Sequence, residues 1–205
     1  LRSPHILSLA QLDQLTSLVI SVDKGVRLDP LRSLLKLESL SLHDAELEAT
    51  DLDYLARFPS LTSLVLWKCT LKPGAFRALA GAASLQKLNL GDVRWEPGEF
   101  SEIARLQNLK FFFIGRGHYT TDEGTRIYLW NPSVVTDEQM QALGRLANLE
   151  HLQISSPALT PACLESLFAL QKLRKLDLFT NGRLSSKDAA PVKAALPECR
   201  EVILQ

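Results

Sequence analysis

The phrase L-x-x-L-x-L returns along this 205-residue chain at Leu15 to Ile20, Leu37 to Leu42, Leu61 to Leu66, Leu85 to Leu90, Leu149 to Ile154 and Leu173 to Leu178, with a variant at Leu109 to Ile114. Successive copies begin 22, 24, 24, 24, 40 and 24 positions apart, and a degenerate copy from Cys199 to Leu204 follows 26 later. Recurrence at one period means a solenoid, in which each unit buries its apolar side against the next. In the unit from Leu61 to Ser84, Leu61, Leu64 and Leu66 mark a strand, Leu71 follows a turn, and Phe76, Leu79 and Ala82 recur at helical spacing. The pattern reads strand, turn, helix, return. Neither half can bury its apolar face alone, so the units stack with right-handed crossovers between parallel strands. The expected fold class is α/β: a right-handed superhelical solenoid with a parallel sheet on its concave face and helices on its convex face.

Helix starts carry their own punctuation. Thr136-Asp137-Glu138, Thr160-Pro161-Ala162 and Ser185-Ser186-Lys187-Asp188 offer hydroxyl caps, and Pro73-Gly74 and Pro97-Gly98 occupy equivalent places. With the motif L-x-x-L-x-L-x-x-N/C-x-L repeated this often, the chain resembles the leucine-rich-repeat proteins, and its 24-residue period and closing segment resemble irregular bacterial repeats. One departure concerns the turns. At the family's Asn/Cys position stand Asp23, Ala45, Cys69, Val93, Pro157 and Asn181, so the usual ladder of side chains is mostly absent, and turn N–H groups must be satisfied by backbone or water.

Composition narrows the class of partner. Acidic and basic residues cancel at 23 each, which leaves no net field to gather nucleic acid or an anionic membrane. No apolar run approaches the roughly 20 residues of a membrane span. Cys69, Cys163 and Cys199 are odd in number and far apart, without metal-site spacing, so they read as reduced, buried residues of a soluble cytoplasmic protein. No cofactor or metal is expected. The chain opens at Leu1 rather than a methionine, and is expected to be part of something longer.

In each strand the leucines point into the core, so the residues between them line the concave face in three rows. The first reads Ser17, Ser39, Ser63, Lys87, Phe111, His151, Lys175, Glu201; the second Val19, Ser41, Val65, Asn89, Phe113, Gln153, Asp177, Ile203; the third Ser21, His43, Trp67, Gly91, Gly115, Ser155, Phe179, Gln205. The first units are bland, whereas the middle gathers Trp67, Phe111 and Phe113 beside two glycines. Large rings next to missing side chains make a shelf, either open to a partner or covered by the chain's own insert. Lys87, Asn89, His151, Gln153, Lys175, Asp177 and Phe179 are expected to surround it as contact residues.

The 40-residue unit holds 16 residues more than its neighbours, and alignment of Thr136 with Thr160 places the extra residues within 116–135. Tyr119 to Thr121, then Asp122-Glu123-Gly124, then Thr125 to Trp130 reads as strand, turn, strand, with Tyr128 and Trp130 on one face. Those two rings are expected to serve as a flap or second contact. Eight strands at about 4.8 Å and about five residues per strand give a face near 560 Å², below the roughly 800 Å² of a standard interface, so the insert or rim has to contribute.

Catalysis is not expected. His5, His43, His118 and His151 lack a nucleophile in any recognisable motif, and Gly115-Arg116-Gly117 matches no phosphate loop. The whole is one repeat domain whose function is protein or peptide recognition through the concave sheet and the insert. The other class of role is a structural, autoinhibitory or sensor segment of a larger multidomain protein.

Overall fold

The computed structural model describes residues 3–115, 118–120, 126–128 and 134–205. Its strands are β1 (Ser17–Ser21), β2 (Ser39–His43), β3 (Glu46–Leu47), β4 (Ser63–Trp67), β5 (Thr70–Leu71), β6 (Lys87–Gly91), β7 (Phe111–Gly115), β8 (His118–Thr120), β9 (Arg126–Tyr128), β10 (His151–Ser155), β11 (Lys175–Phe179) and β12 (Glu201–Leu204). Eight of them form one parallel sheet in the order β1-β2-β4-β6-β7-β10-β11-β12. Each step in the sheet is one repeat. Leu18, Leu40, Leu64, Leu88, Phe112, Leu152, Leu176 and Val202 pair in a single line across it. Because β7 pairs directly with β10, the extra residues of the long unit leave the sheet unbroken.

The motif leucines face inward and are sealed. Leu61, Leu64 and Leu66, for instance, are at most 1% exposed, and burying each such side chain contributes about 1.5–3 kcal/mol. One contiguous apolar cluster runs from Ile6 to Leu204. Between sheet and convex side, Phe76, Trp95, Phe100 and Phe112 stack edge-on or tilted at centroid distances of 5.7–6.4 Å.

A sharp turn carries the chain off the sheet after each strand. Asp44, Lys68 and Asp92, 24 residues apart, hold left-handed φ angles of 60°, 53° and 54°. Their N–H groups donate to the ends of the neighbouring strands, at Trp67, Gly91 and Gly115, over 2.8–2.9 Å. This conformation costs an ordinary residue about 1–2 kcal/mol and aspartate less, so the lysine copy is the most strained of the three. Beyond the turn, backbone replaces the missing side-chain ladder, as the departures at the Asn/Cys position require. Thr70 N–H donates to the Ala45 carbonyl and Arg94 N–H to that of Cys69, both over 2.9 Å, and β3 and β5 make a second small parallel ribbon. Cys69 Sγ donates to the Leu42 carbonyl at 3.3 Å.

A polar ladder does exist, on the opposite loop. In four units the residue just before the repeat reaches back: Lys36 bonds Gln14, Asn108 the Ala83 carbonyl, Asn148 the Gln107 carbonyl and Lys172 the Asn148 side chain.

The convex side is more tightly wound than the helical spacing predicts. Alongside α1 (Ser3–Leu9), α2 (Ala49–Asp53), α3 (Ala75–Leu79), α4 (Asp137–Leu143) and α5 (Ala189–Ala195), it uses 3-10 segments at 29–33, 55–57, 97–105, 161–163, 165–167 and 186–188. A 3-10 turn rises about 2.0 Å per residue against 1.5 Å for an α-helix, so a short unit spans the convex side with fewer residues. The hydroxyl caps sit as read from the sequence: Thr136 with Gln139 and Ser185 with Asp188 form capping boxes, and Thr160 accepts from Ala162 N–H. Asp137 extends the device across repeats by accepting the Thr160 N–H at 2.9 Å.

Of the strand-turn-strand expected in the insert, the two arms are described in part, as the antiparallel pair β8–β9 with His118 opposite Tyr128 and Thr120 opposite Arg126, and the turn between them lies outside the described residues. Tyr128 is placed by its backbone alone, and Trp130 lies outside the described residues. The insert's return is fastened where Ser156, 1% exposed, donates its hydroxyl to the Val135 carbonyl at 2.6 Å.

Candidate functional site

Parallel sheets usually carry structure on both faces. Here the leucines fill one face, and the other holds the rows predicted from the sequence: Ser17, Ser39, Ser63, Lys87, Phe111, His151, Lys175 and Glu201 are successive partners, as are Val19, Ser41, Val65, Asn89, Phe113, Gln153, Asp177 and Ile203, while the third row pairs from Ser21 to Gly115 and again from Ser155 to Phe179.

Trp67, Phe111 and Phe113 are half-buried, and the glycines explain how the first of them sits. Gly91 is Trp67's partner on the next strand. A methyl group there would stand 2.0 Å from Cε3 and 2.2 Å from Cζ3 of Trp67. The indole therefore lies across the bare backbone of Gly91. At Gly115 a methyl would meet the Ser155 Cβ at 2.8 Å and the Phe113 Cζ at 3.6 Å, so the second glycine accommodates the next strand.

Phe111 meets His151 edge-on at 6.1 Å, and both line a depression of about 400 Å³ completed by Lys87, Lys110 and Glu150. Lys110 and Glu150 were missed in the sequence because the rows were drawn one residue too late. They directly precede the first row, one residue before β7 and β10 begin, and a row written at that position finds them. Asn89 and Gln153 are half-buried beside Phe113 in the second row.

Two expected contact residues are corrected. Asp177 is 6% exposed and Phe179 9%, so neither offers an open contact surface. Alternation along a strand sets the direction of a side chain, whereas its exposure depends on what packs around it. On β11 the alternating pattern is lost after Lys175, and neighbouring Ser155, Ser156 and Thr180 are buried too. The closed area is thus the strand-exit corner of β10 and β11. The contact surface shrinks toward β4, β6, β7 and the first row of β10.

Polar chemistry at that corner is tightly held. Lys175 Nζ lies 2.7 Å from Glu201 and 3.7 Å from Asp177, while Asp177 Oδ1 and Ser155 Oγ are buried without a hydrogen-bond partner among the described residues. Burial pushes the Asp177 carboxyl above its ordinary range, against the pull of Lys175. A folded-state value above the unfolded one means that the folded chain holds the proton longer. The resulting stabilisation is present below the unfolded value near about 3.9 and is lost as pH rises through the folded value. Asp177→Asn accordingly gains on the parent between about pH 3 and pH 7. Urea midpoints measured at the two pH values check this: parity in acid and a more stable variant at neutrality is the expected pair. A variant weaker at neutrality would mean that the attraction of Lys175 outweighs burial.

The remaining chemistry-bearing residues are scattered. His43 bonds Ser41 at 2.9 Å on β2, and Cys69, Cys163 and Cys199 are buried free thiols, the first two pushed up by burial to about 11 and about 12. Among the described residues no group of three metal-binding side chains comes together.

No protein-family model and no curated protein matches the chain. Solved structures do. A leucine-rich-repeat protein of Leptospira interrogans superposes with a TM-score of 0.57 at 18% identity, over 95% of this chain and 50% of that one. Internalin C2 of Listeria monocytogenes superposes with a TM-score of 0.52 at 20% identity, over 89% of this chain and 79% of its own. The chain thus spans half the length of the first and about four fifths of the second. Sheet order, repeat register and these neighbours agree: the chain folds as a leucine-rich-repeat solenoid.

Proposed function

We propose that the chain is a protein-recognition module that takes an extended segment of its partner across the centre of the concave sheet. One observation carries this reading: Trp67, Phe111 and Phe113 stand half-exposed within the width of three neighbouring strands, β4, β6 and β7, at the centre of the concave face. Aromatic rings held by rigid strands lose little freedom on binding and are the usual energetic anchors of an interface. Asn89 and Gln153 flank Phe113 with groups able to bond a peptide backbone. Recognition fits this surface better than turnover, since its polar groups spread along an open sheet instead of converging on a reacting atom. Three free cysteines support a cytoplasmic setting. Tyr128 and Trp130 of the insert enter the proposal as a flap or second contact.

The test is a display selection of random 12-residue peptides on the 205-residue chain. Selected peptides should bind Trp67→Ala and Phe113→Ala at least tenfold more weakly, a loss of about 1.4 kcal/mol or more each, with both variants still folded by circular dichroism. Undiminished binding by the two folded variants would move the site off the concave centre.

A further inference from the structure

Within the recognition role just proposed, and resting on it, we infer that the partner segment is acidic, and that one of its carboxylates enters the depression formed by Lys87, Lys110, Phe111, Glu150 and His151. The chain as a whole is neutral, but this place is not. Lys87 and Lys110 approach it from neighbouring strands, and neither has a carboxylate within 4 Å among the described residues, in contrast to Lys175, which is claimed by Glu201 and Asp177. Glu150 is the depression's one acid, so two ammonium groups face one carboxylate.

Two unpaired like charges on one small site repel each other, and an incoming carboxylate relieves that repulsion while gaining charge-assisted bonds. The floor narrows the choice further. Phe111, edge-on to His151 at 6.1 Å, provides apolar surface directly beside the lysines, and Trp67 and Phe113 continue it toward the strand exits. The fitting sequence is therefore an aspartate or glutamate next to large apolar residues.

A nucleic-acid strand would also favour cations beside rings. Its phosphates recur at every nucleotide, however, and would run onto Glu150 and Glu201 along the same strip. A single carboxylate on a peptide meets the two lysines and stops there.

The experiment is the same 12-residue display selection, run in parallel on the parent chain and on Lys87→Glu/Lys110→Glu, each checked for folding by circular dichroism. Peptides selected on the parent should be enriched in Asp or Glu adjacent to Leu, Ile, Phe or Trp. They should lose at least tenfold affinity on the charge-reversed variant, and weaken as salt rises from 0.05 to 0.3 M, where screening shortens from about 14 Å to about 6 Å. The variant's own selected pool should shift toward Lys and Arg. Peptides that lack acidic enrichment yet depend on Trp67 and Phe113 would overturn this inference and leave the recognition site standing. Peptides indifferent to both sets of substitutions would overturn both. Displacement of the selected peptides by oligo-dT at equal concentration would overturn the peptide assignment in favour of nucleic acid.

Discussion

Gly144→Ala should lower stability by about 2 kcal/mol, although the substitution improves helix propensity. Gly144 closes α4 with φ −59° and ψ −14°, ordinary helical values at which alanine is favoured over glycine by about 0.5–1 kcal/mol. The opposing term is steric. A methyl group there would stand 1.9 Å from the carbonyl oxygen of Ser166, in the 3-10 segment of the following repeat. That neighbour is backbone and cannot rotate away, so α4 and the segments it packs against would have to separate by more than an ångström. Overpacking of this kind costs about 1–3 kcal/mol and occasionally more, which outweighs the propensity gain. For a chain of this size the melting temperature should fall by about 4–8 °C. Gly98→Ala is the control, since nothing lies within 4 Å of a methyl at that position. Equal melting of the two variants would show that adjacent repeats slide apart without loss.

The contrast between these glycines also marks how far the sequence could be read. The period and the inward leucines determine which residues neighbour one another in the sheet. A period-two pattern on a parallel array leaves no freedom once one strand pair is in register. All three concave rows follow from that, as do the hydroxyl caps, whose chemistry is local. What the pattern could not convey is how closely neighbouring repeats approach. Gly144 and Gly98 look alike in sequence, and only the packed carbonyl of Ser166 separates them. The burial of Asp177 and Phe179 was hidden for the same reason. Alternation aims a side chain at the concave side, and whether it stays open depends on packing that no local pattern records. The ladder at Lys36, Asn108, Asn148 and Lys172 joins residues of different types and carries no shared sequence signature, so no motif announces it.

Gly91→Ala should weaken partner binding more than removal of Trp67 itself. Trp67→Ala deletes an anchor, and loss of a central tryptophan costs an interface about 2–4 kcal/mol, or roughly 30-fold to 1000-fold in affinity. Gly91→Ala keeps the indole and takes away its seat. With a methyl 2.0 Å from Cε3, the ring has to rise from β6 into the space above the concave face. There it ceases to act as floor and obstructs the segment that would lie over Asn89 and Phe113. Anchor loss and obstruction act together in the single glycine variant, but the obstruction vanishes when the ring is removed as well. The double variant Gly91→Ala/Trp67→Ala should therefore bind better than Gly91→Ala alone and match Trp67→Ala. Affinities of the four proteins for peptides selected on the parent, measured by calorimetry, form the double-mutant cycle that isolates this coupling. A double variant weaker than both singles would mean that Gly91 acts through the sheet backbone and not through the tryptophan.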